Sequence, residues 1–237
     1  MRIFVRNRWQ AFGIHLLISL TIFIGLSVVI YFFWYPGFLF HYDGGLQGMK
    51  LIAGVDFFIG PILTLCVYKL EKKSLRFDLT CIAILQLACL TGGMWTVWHT
   101  RPIAVVYAAG EFSTTNQLGY ENAKIKIQDV PLIVNSTWPV WVAVNIPESD
   151  AKGFGQVWSM LGSDLNYNVE NYVLYSKIVT NLPTTGKSYS EVAGELKLQG
   201  KNDMGESVKF YPISTSMHNG YLAIDTKTGK VIKAIFQ

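Results

Sequence analysis

Three long apolar runs in the first hundred residues constrain this chain more than anything else in its sequence. A run of this kind has no water-facing side, and inside lipid only a helix or a closed barrel satisfies its own backbone groups. The first run extends from Ala11 to Trp34 and, at about 1.5 Å per residue, is long enough to cross a bilayer with some tilt. The second starts near Gly48 and ends at Tyr68, with Lys50 near one end and Asp56 inside it. The third covers Leu79 to Trp98, with Gln86 near its middle. Aromatic residues gather at the ends of the runs, as in the belts that settle at headgroup level. Only 15% of the chain is charged, but that average hides a division. Residues 101 to 237 have the composition and length of an ordinary domain with a core of its own.

The first run could be read as a secretory signal, since Arg2, Arg6 and Arg8 precede it. A signal's apolar stretch is only about 7–15 residues and leads into small residues at a cleavage site. This run ends in Tyr31-Phe32-Phe33-Trp34-Tyr35-Pro36, so it reads as a retained anchor. Basic residues then set the expected orientation. The N-terminal tail carries three arginines, and the segment between runs two and three reads Lys69-Leu70-Glu71-Lys72-Lys73-Ser74-Leu75-Arg76. The segment from Tyr35 to Gln47 has Asp43 but no Lys or Arg. The positive-inside rule puts the N-terminus and the second loop in the cytoplasm. With three spans the C-terminal domain falls on the other side, which for a bacterial inner membrane is the periplasm.

Polar residues inside the runs are the candidate functional positions. Asp56, followed by Gly60-Pro61, is costly at membrane depth unless protonated or paired, which marks it as functional by default. The plainer reading is that it pairs with Lys50, Gln86 or backbone freed at Pro61 and locks helix packing. His15, in the first run, suits packing or hydrogen bonding better than proton transfer. Gly92-Gly93 suits close helix approach. Cys66, Cys81 and Cys89 all lie in or at the runs, so the C-terminal domain has no disulfide of its own.

The C-terminal part reads as a small α+β domain. Pro102 discourages continuation of the third helix. Ile103–Ala108 and Pro139–Val144 read as strands, and Gly220–Ile224 with Val231-Ile232 as a hairpin around Gly229. A helix is expected from Pro147, with Phe154, Val157, Trp158 and Leu161 on one face, and another from about Ser188 to Leu198. Chemistry-bearing motifs are weak. Asn181-Leu182-Pro183-Thr184-Thr185-Gly186-Lys187-Ser188 has Asn where a P-loop needs Gly, and Gly153-Phe154-Gly155 lacks the third glycine of a dinucleotide fingerprint. Neither a catalytic constellation nor a paired-cysteine metal site is visible, so no catalytic residue, cofactor or metal ligand is assigned. The net charge of +4 is scattered, which argues against nucleic acid as a partner.

Several segments carry a family resemblance. Tyr35-Pro36-Gly37, Gly44-Gly45-Leu46-Gln47-Gly48, Leu51-Ile52-Ala53-Gly54-Val55-Asp56 with Gly60-Pro61, and Leu75-Arg76-Phe77-Asp78 resemble successive signatures of the TfpX/TfpZ-type pilin accessory proteins. So do Arg101-Pro102-Ile103-Ala104-Val105-Val106 and Thr228-Gly229-Lys230-Val231. The resemblance implies an accessory, chaperone-like and non-catalytic role in surface assembly of a cognate type IV pilin. Its partners would be the pilin subunit, membrane lipid and components of the pilus assembly machinery. It implies no active-site residues. A pilin helix with a glutamate near its cytoplasmic end would, by depth, meet Arg8, His15 or Arg76. The rival reading is a small transporter or proton-coupled component built on Asp56, although three spans are few for a path and no inverted repeat is visible.

Overall fold

The computed structural model describes residues 7–69, 73–145, 165–179, 186–196, 205 and 207–236. It divides into two compact units, one of residues 1–40 and 44–99, the other of His41–Asp43 together with Thr100–Gln237.

The first unit contains three helices long and apolar enough to cross a membrane, Arg8–Trp34, Gly45–Val67 and Leu75–Thr100. Large side chains such as Leu17, Ile62 and Leu85 are exposed, which suits a surface solvated by lipid. Scattered hydroxyls on the spans bond within their own helices. Thr21 donates to the Leu17 carbonyl at 2.9 Å, Ser27 to Phe23 at 2.7 Å and Thr91 to Leu87 at 2.7 Å. No polar hydrogen of these groups is left facing hydrocarbon. Ile30, Tyr35, Leu39, Phe40, Ile52 and Val97 form a buried cluster, and the Tyr35 hydroxyl donates to the Val97 carbonyl at 3.3 Å.

Two stretches of the spans widen into π-helix, Ile30–Trp34 and Gly54–Ile59. The second ends at Ile59, just before Gly60-Pro61. Proline has no N–H to give, and its ring crowds the carbonyl four residues back, here on Phe57. A wide turn relieves that crowding and shifts the side chains that follow.

The second unit is built on a seven-stranded mixed sheet in the order β4-β3-β1-β2-β5-β6-β7. The strands are β1 Pro102–Ala108, β2 Glu111–Asn116, β3 Val140–Val144, β4 Tyr172–Leu174, β5 Val208–Ser214, β6 Asn219–Asp225 and β7 Val231–Phe236. β1 is buried at every position, as a central strand covered on both faces must be. Ala104, Val106 and Ala108 pack in one cluster with Tyr120 and Ile133, while Tyr107 meets Phe112 and Tyr211 in another group of rings. β1 and β2 join through Ala109 and Gly110, both at positive φ, the two-residue hairpin geometry whose twist matches the strands. β1 pairs in parallel with β3, and β2 in parallel with β5.

The expected strands at 103–108 and 139–144 and the C-terminal hairpin are all present. The short helix runs Tyr189–Leu196, opened by Ser188, whose hydroxyl and amide both donate to Glu191 at 2.6 Å. The helix expected from Pro147 through Leu161 and the Gly153-Phe154-Gly155 segment lie outside the described residues, as does most of the P-loop-like stretch. Its Lys187 is paired in the backbone with Phe210 and by its ammonium with Glu195 at 2.5 Å.

Candidate intramembrane site

Four-residue spacing brings the polar residues of the spans together. On the first span, Ala11, His15 and Ser19 recur at i, i+4 and i+8, so their side chains share one helix face. On the second, Asp56, Gly60 and Thr64 do the same across the wide turn. Asp56 lies midway between Gly45 and Val67, at the centre of its span. The third span contributes Ala83, Gln86 and Leu90. Together these faces line a cavity of about 450 Å³ within the span unit, with His15, Ser19, Asp56, Thr64 and Gln86 as its main polar groups.

The geometry inside is specific. His15 Nδ1 and Thr64 Oγ1 are 2.6 Å apart, and either group can donate according to the imidazole tautomer. Thr64 and Ser19 are buried, while His15 is half-buried and faces the cavity. Gln86, from the third span, lies beside His15 and lines the same cavity. It crosses the face of Gly60, where any Cβ would overlap its amide. Asp56 is 6% exposed and interacts electrostatically with His15, but it accepts no hydrogen bond among the described residues. A buried carboxyl without a donor is costly, the more so at membrane depth.

Among the residues singled out from sequence, the structure thus gathers His15, Asp56 and Gln86. Lys50 is exposed and lies outside the cavity. Arg8 and Arg76 are exposed and also lie outside it. Thr64 and Ser19 were not singled out. A hydroxyl in an apolar run carries little signal alone, because it can bond its own helix. Only the four-residue spacing from Asp56 and His15 could have found them.

The arrangement suits recognition rather than covalent chemistry. One hydroxyl, one imidazole, one amide and one carboxyl offer donors and acceptors to a polar group entering from the membrane. Among the described residues no three His, Cys, Asp or Glu side chains gather as metal ligands would.

Comparison with known proteins gives the setting. The family described as Fimbrial assembly protein FimB matches residues 3–37. The fimbrial assembly protein of serogroups C1 and C2 of Dichelobacter nodosus is 37% identical over 100 residues, which cover 40% of this chain and 74% of that protein. The serogroup E1 and serogroup I fimbrial assembly proteins of the same organism are 35% and 37% identical over 100 residues. In both cases the match covers 40% of this chain and 38% of the relative. No solved structure matches the chain.

Proposed function

The chain belongs to the family of fimbrial assembly proteins, and on that premise we propose that it acts on the pilus subunit itself, binding a type IV pilin in the inner membrane in the manner of the TfpX/TfpZ-type accessory proteins. The observation that carries this reading is the polar cavity of the span unit. A protein that only anchored a soluble domain would have no need to hold His15, Asp56, Thr64 and Gln86 around open space in lipid. A pilin waiting in the membrane has an apolar helix, and a glutamate on that helix needs a donor there. His15 is the member of the set Arg8, His15 and Arg76 that faces the cavity. Its bond to Thr64 fixes the ring, and Gln86 supplies an amide beside it. The basic N-terminal tail and second loop favour a cytoplasmic N-terminus, with the sheet domain in the periplasm beside the pilin head.

The test is a deletion of the gene, scoring surface pili and total pilin in the same cells, followed by complementation with His15→Leu, Arg8→Gln and Arg76→Gln. Loss of pili with pilin still made is the expected result, with pilin co-purification weakened most by His15→Leu. Unchanged surface pili in the deletion would remove the assembly reading. Unchanged co-purification in all three variants would remove the proposed contact alone.

Asp56 supports a second reading, proton-coupled transport, because no hydrogen bond among the described residues locks it in place. Asp56→Asn separates the two. A transporter loses function entirely, whereas a packing role for Asp56 lowers abundance and keeps the activity per molecule.

A further inference from the structure

Asp56 does not face the cavity alone. It also lines a second recess of about 300 Å³, between the second and third spans, whose other walls include Val55, Cys89, Gly92, Gly93 and Thr96. The small residues make this recess a groove: a side chain added at Gly92 would meet nothing within 4 Å. Small residues let a helix backbone approach closely, which in lipid is a main source of helix association. Thr96 spends its hydroxyl hydrogen on the Gly92 carbonyl at 3.0 Å, so the floor offers little polar competition. The groove therefore combines a shape that fits a helix with one strong acceptor, Asp56, a buried residue without a hydrogen bond among the described residues. Among the described residues no basic side chain lines the groove.

We propose that the groove between the second and third spans docks a second transmembrane helix, one that presents a lysine or arginine at mid-membrane depth to Asp56. The chemistry selects that partner. A basic residue on a lone helix and an acidic residue in a lone groove are each costly at the bilayer centre. Meeting in the groove, the two charges offset one another and the hydrogen bond that Asp56 lacks is made. A wholly apolar helix gains only packing. The groove shares Asp56 with the cavity proposed for pilin, but the proposal does not depend on that reading, since His15 and Thr64 do not line the groove.

The test uses the full chain in lipid nanodiscs with Cys89 as its one cysteine, after Cys66→Ser and Cys81→Ser. The probe is a polyleucine transmembrane peptide with one central lysine and a cysteine four residues from it, compared with the same peptide carrying leucine in place of the lysine. Disulfide formation with Cys89 should favour the lysine peptide by roughly tenfold. Asp56→Asn, which keeps the side-chain shape, should abolish that preference. Gly92→Leu, which fills the groove and leaves Asp56 intact, should block both peptides. Equal crosslinking of the two peptides, or a preference that survives Asp56→Asn, overturns the proposal. Cys89-to-Cys89 crosslinks that form at equal rate with and without peptide would assign the groove to a second copy of this chain and overturn it as well.

Discussion

Asp43 allows a stability prediction to be worked from geometry. It is a buried residue of the sheet unit, although the chain places it between the first two spans. Its Oδ1 accepts from the Thr114 hydroxyl at 2.8 Å and from the Ser216 amide at 2.7 Å, while Oδ2 is buried without a partner among the described residues. Burial raises its pKa above the ordinary carboxylate value, and the bonds from Ser216 and Thr114 only partly oppose that. Asp43→Ala removes two bonds to a charged acceptor, each worth about 1.5–3 kcal/mol, and strands a buried amide. It also releases a carboxylate whose desolvation outweighs its bonds. The net loss should be about 1–3 kcal/mol. Asp43→Asn keeps an acceptor for both donors and removes the charge, so it should fall within about 1 kcal/mol of the natural chain. The assay is hydrogen exchange of the 208–225 region in the full chain in nanodiscs. Exchange there should be roughly 5- to 150-fold faster in Asp43→Ala at about 1.4 kcal/mol per decade, and nearly unchanged in Asp43→Asn. The pH dependence has a definite sign. A carboxyl raised in the folded state contributes stability that is fully present below its unfolded value near 3.8 and is lost as pH rises through the folded value. After correction for intrinsic exchange, the natural chain should lose protection relative to Asp43→Asn as pH rises from about 4 toward neutrality. Identical behaviour of the Ala and Asn variants, or protection that grows with pH, would refute this reasoning.

Other predictions concern the same sheet. The Tyr107 hydroxyl is buried without a partner among the described residues, and burial with the neighbouring Tyr211 pushes its pKa up to about 12. Tyr107→Phe should therefore be neutral or stabilising by about 1 kcal/mol in thermal unfolding, and a loss beyond that would mean the hydroxyl has a role in the fold. At Gly220 an added Cβ would land on the Ile235 carbonyl oxygen and within 2.7 Å of the Phe236 ring. Gly220→Ala should cost more than about 2 kcal/mol and loosen the β6–β7 hairpin in limited proteolysis. Gly194→Ala, in helix 189–196 with open space around it, should instead stabilise by about 0.5–1 kcal/mol.

How legible each part was depends on how local its cause is. The three spans follow from unbroken apolar runs, and β1 and β3 from short β-branched runs. The β6–β7 hairpin follows from a glycine-containing loop, with Gly229 at positive φ as such a loop needs. β2 gave less signal, because Glu-Phe-Ser-Thr-Thr-Asn is polar and becomes a strand by pairing with β1 and β5. The intramembrane site was half legible. Asp56, His15 and Gln86 stand out because ionisable and amide groups are rare in lipid, but their meeting depends on how three helices pack. Lys50 drew attention for the same reason, yet its position on the second helix leaves it outside the cavity. Least legible was Asp43, whose partners Thr114 and Ser216 lie 71 and 173 residues away.

Those three residues, His41–Asp43, change what the sheet domain is as a piece of chain. Tyr42 stacks on Phe236 with ring centroids 4.0 Å apart, and its carbonyl accepts from Thr215 at 2.6 Å and from His218 at 3.2 Å. A fragment cut to begin at Thr100 would look complete on a domain map and yet lack a built-in part. The chain enters this fold twice, first for three residues and then for the remainder. Substitutions and tags placed in what reads as a plain linker between two apolar helices should therefore register as defects of the sheet domain. A faithful soluble version would have to supply the His41–Asp43 segment in trans or graft it back.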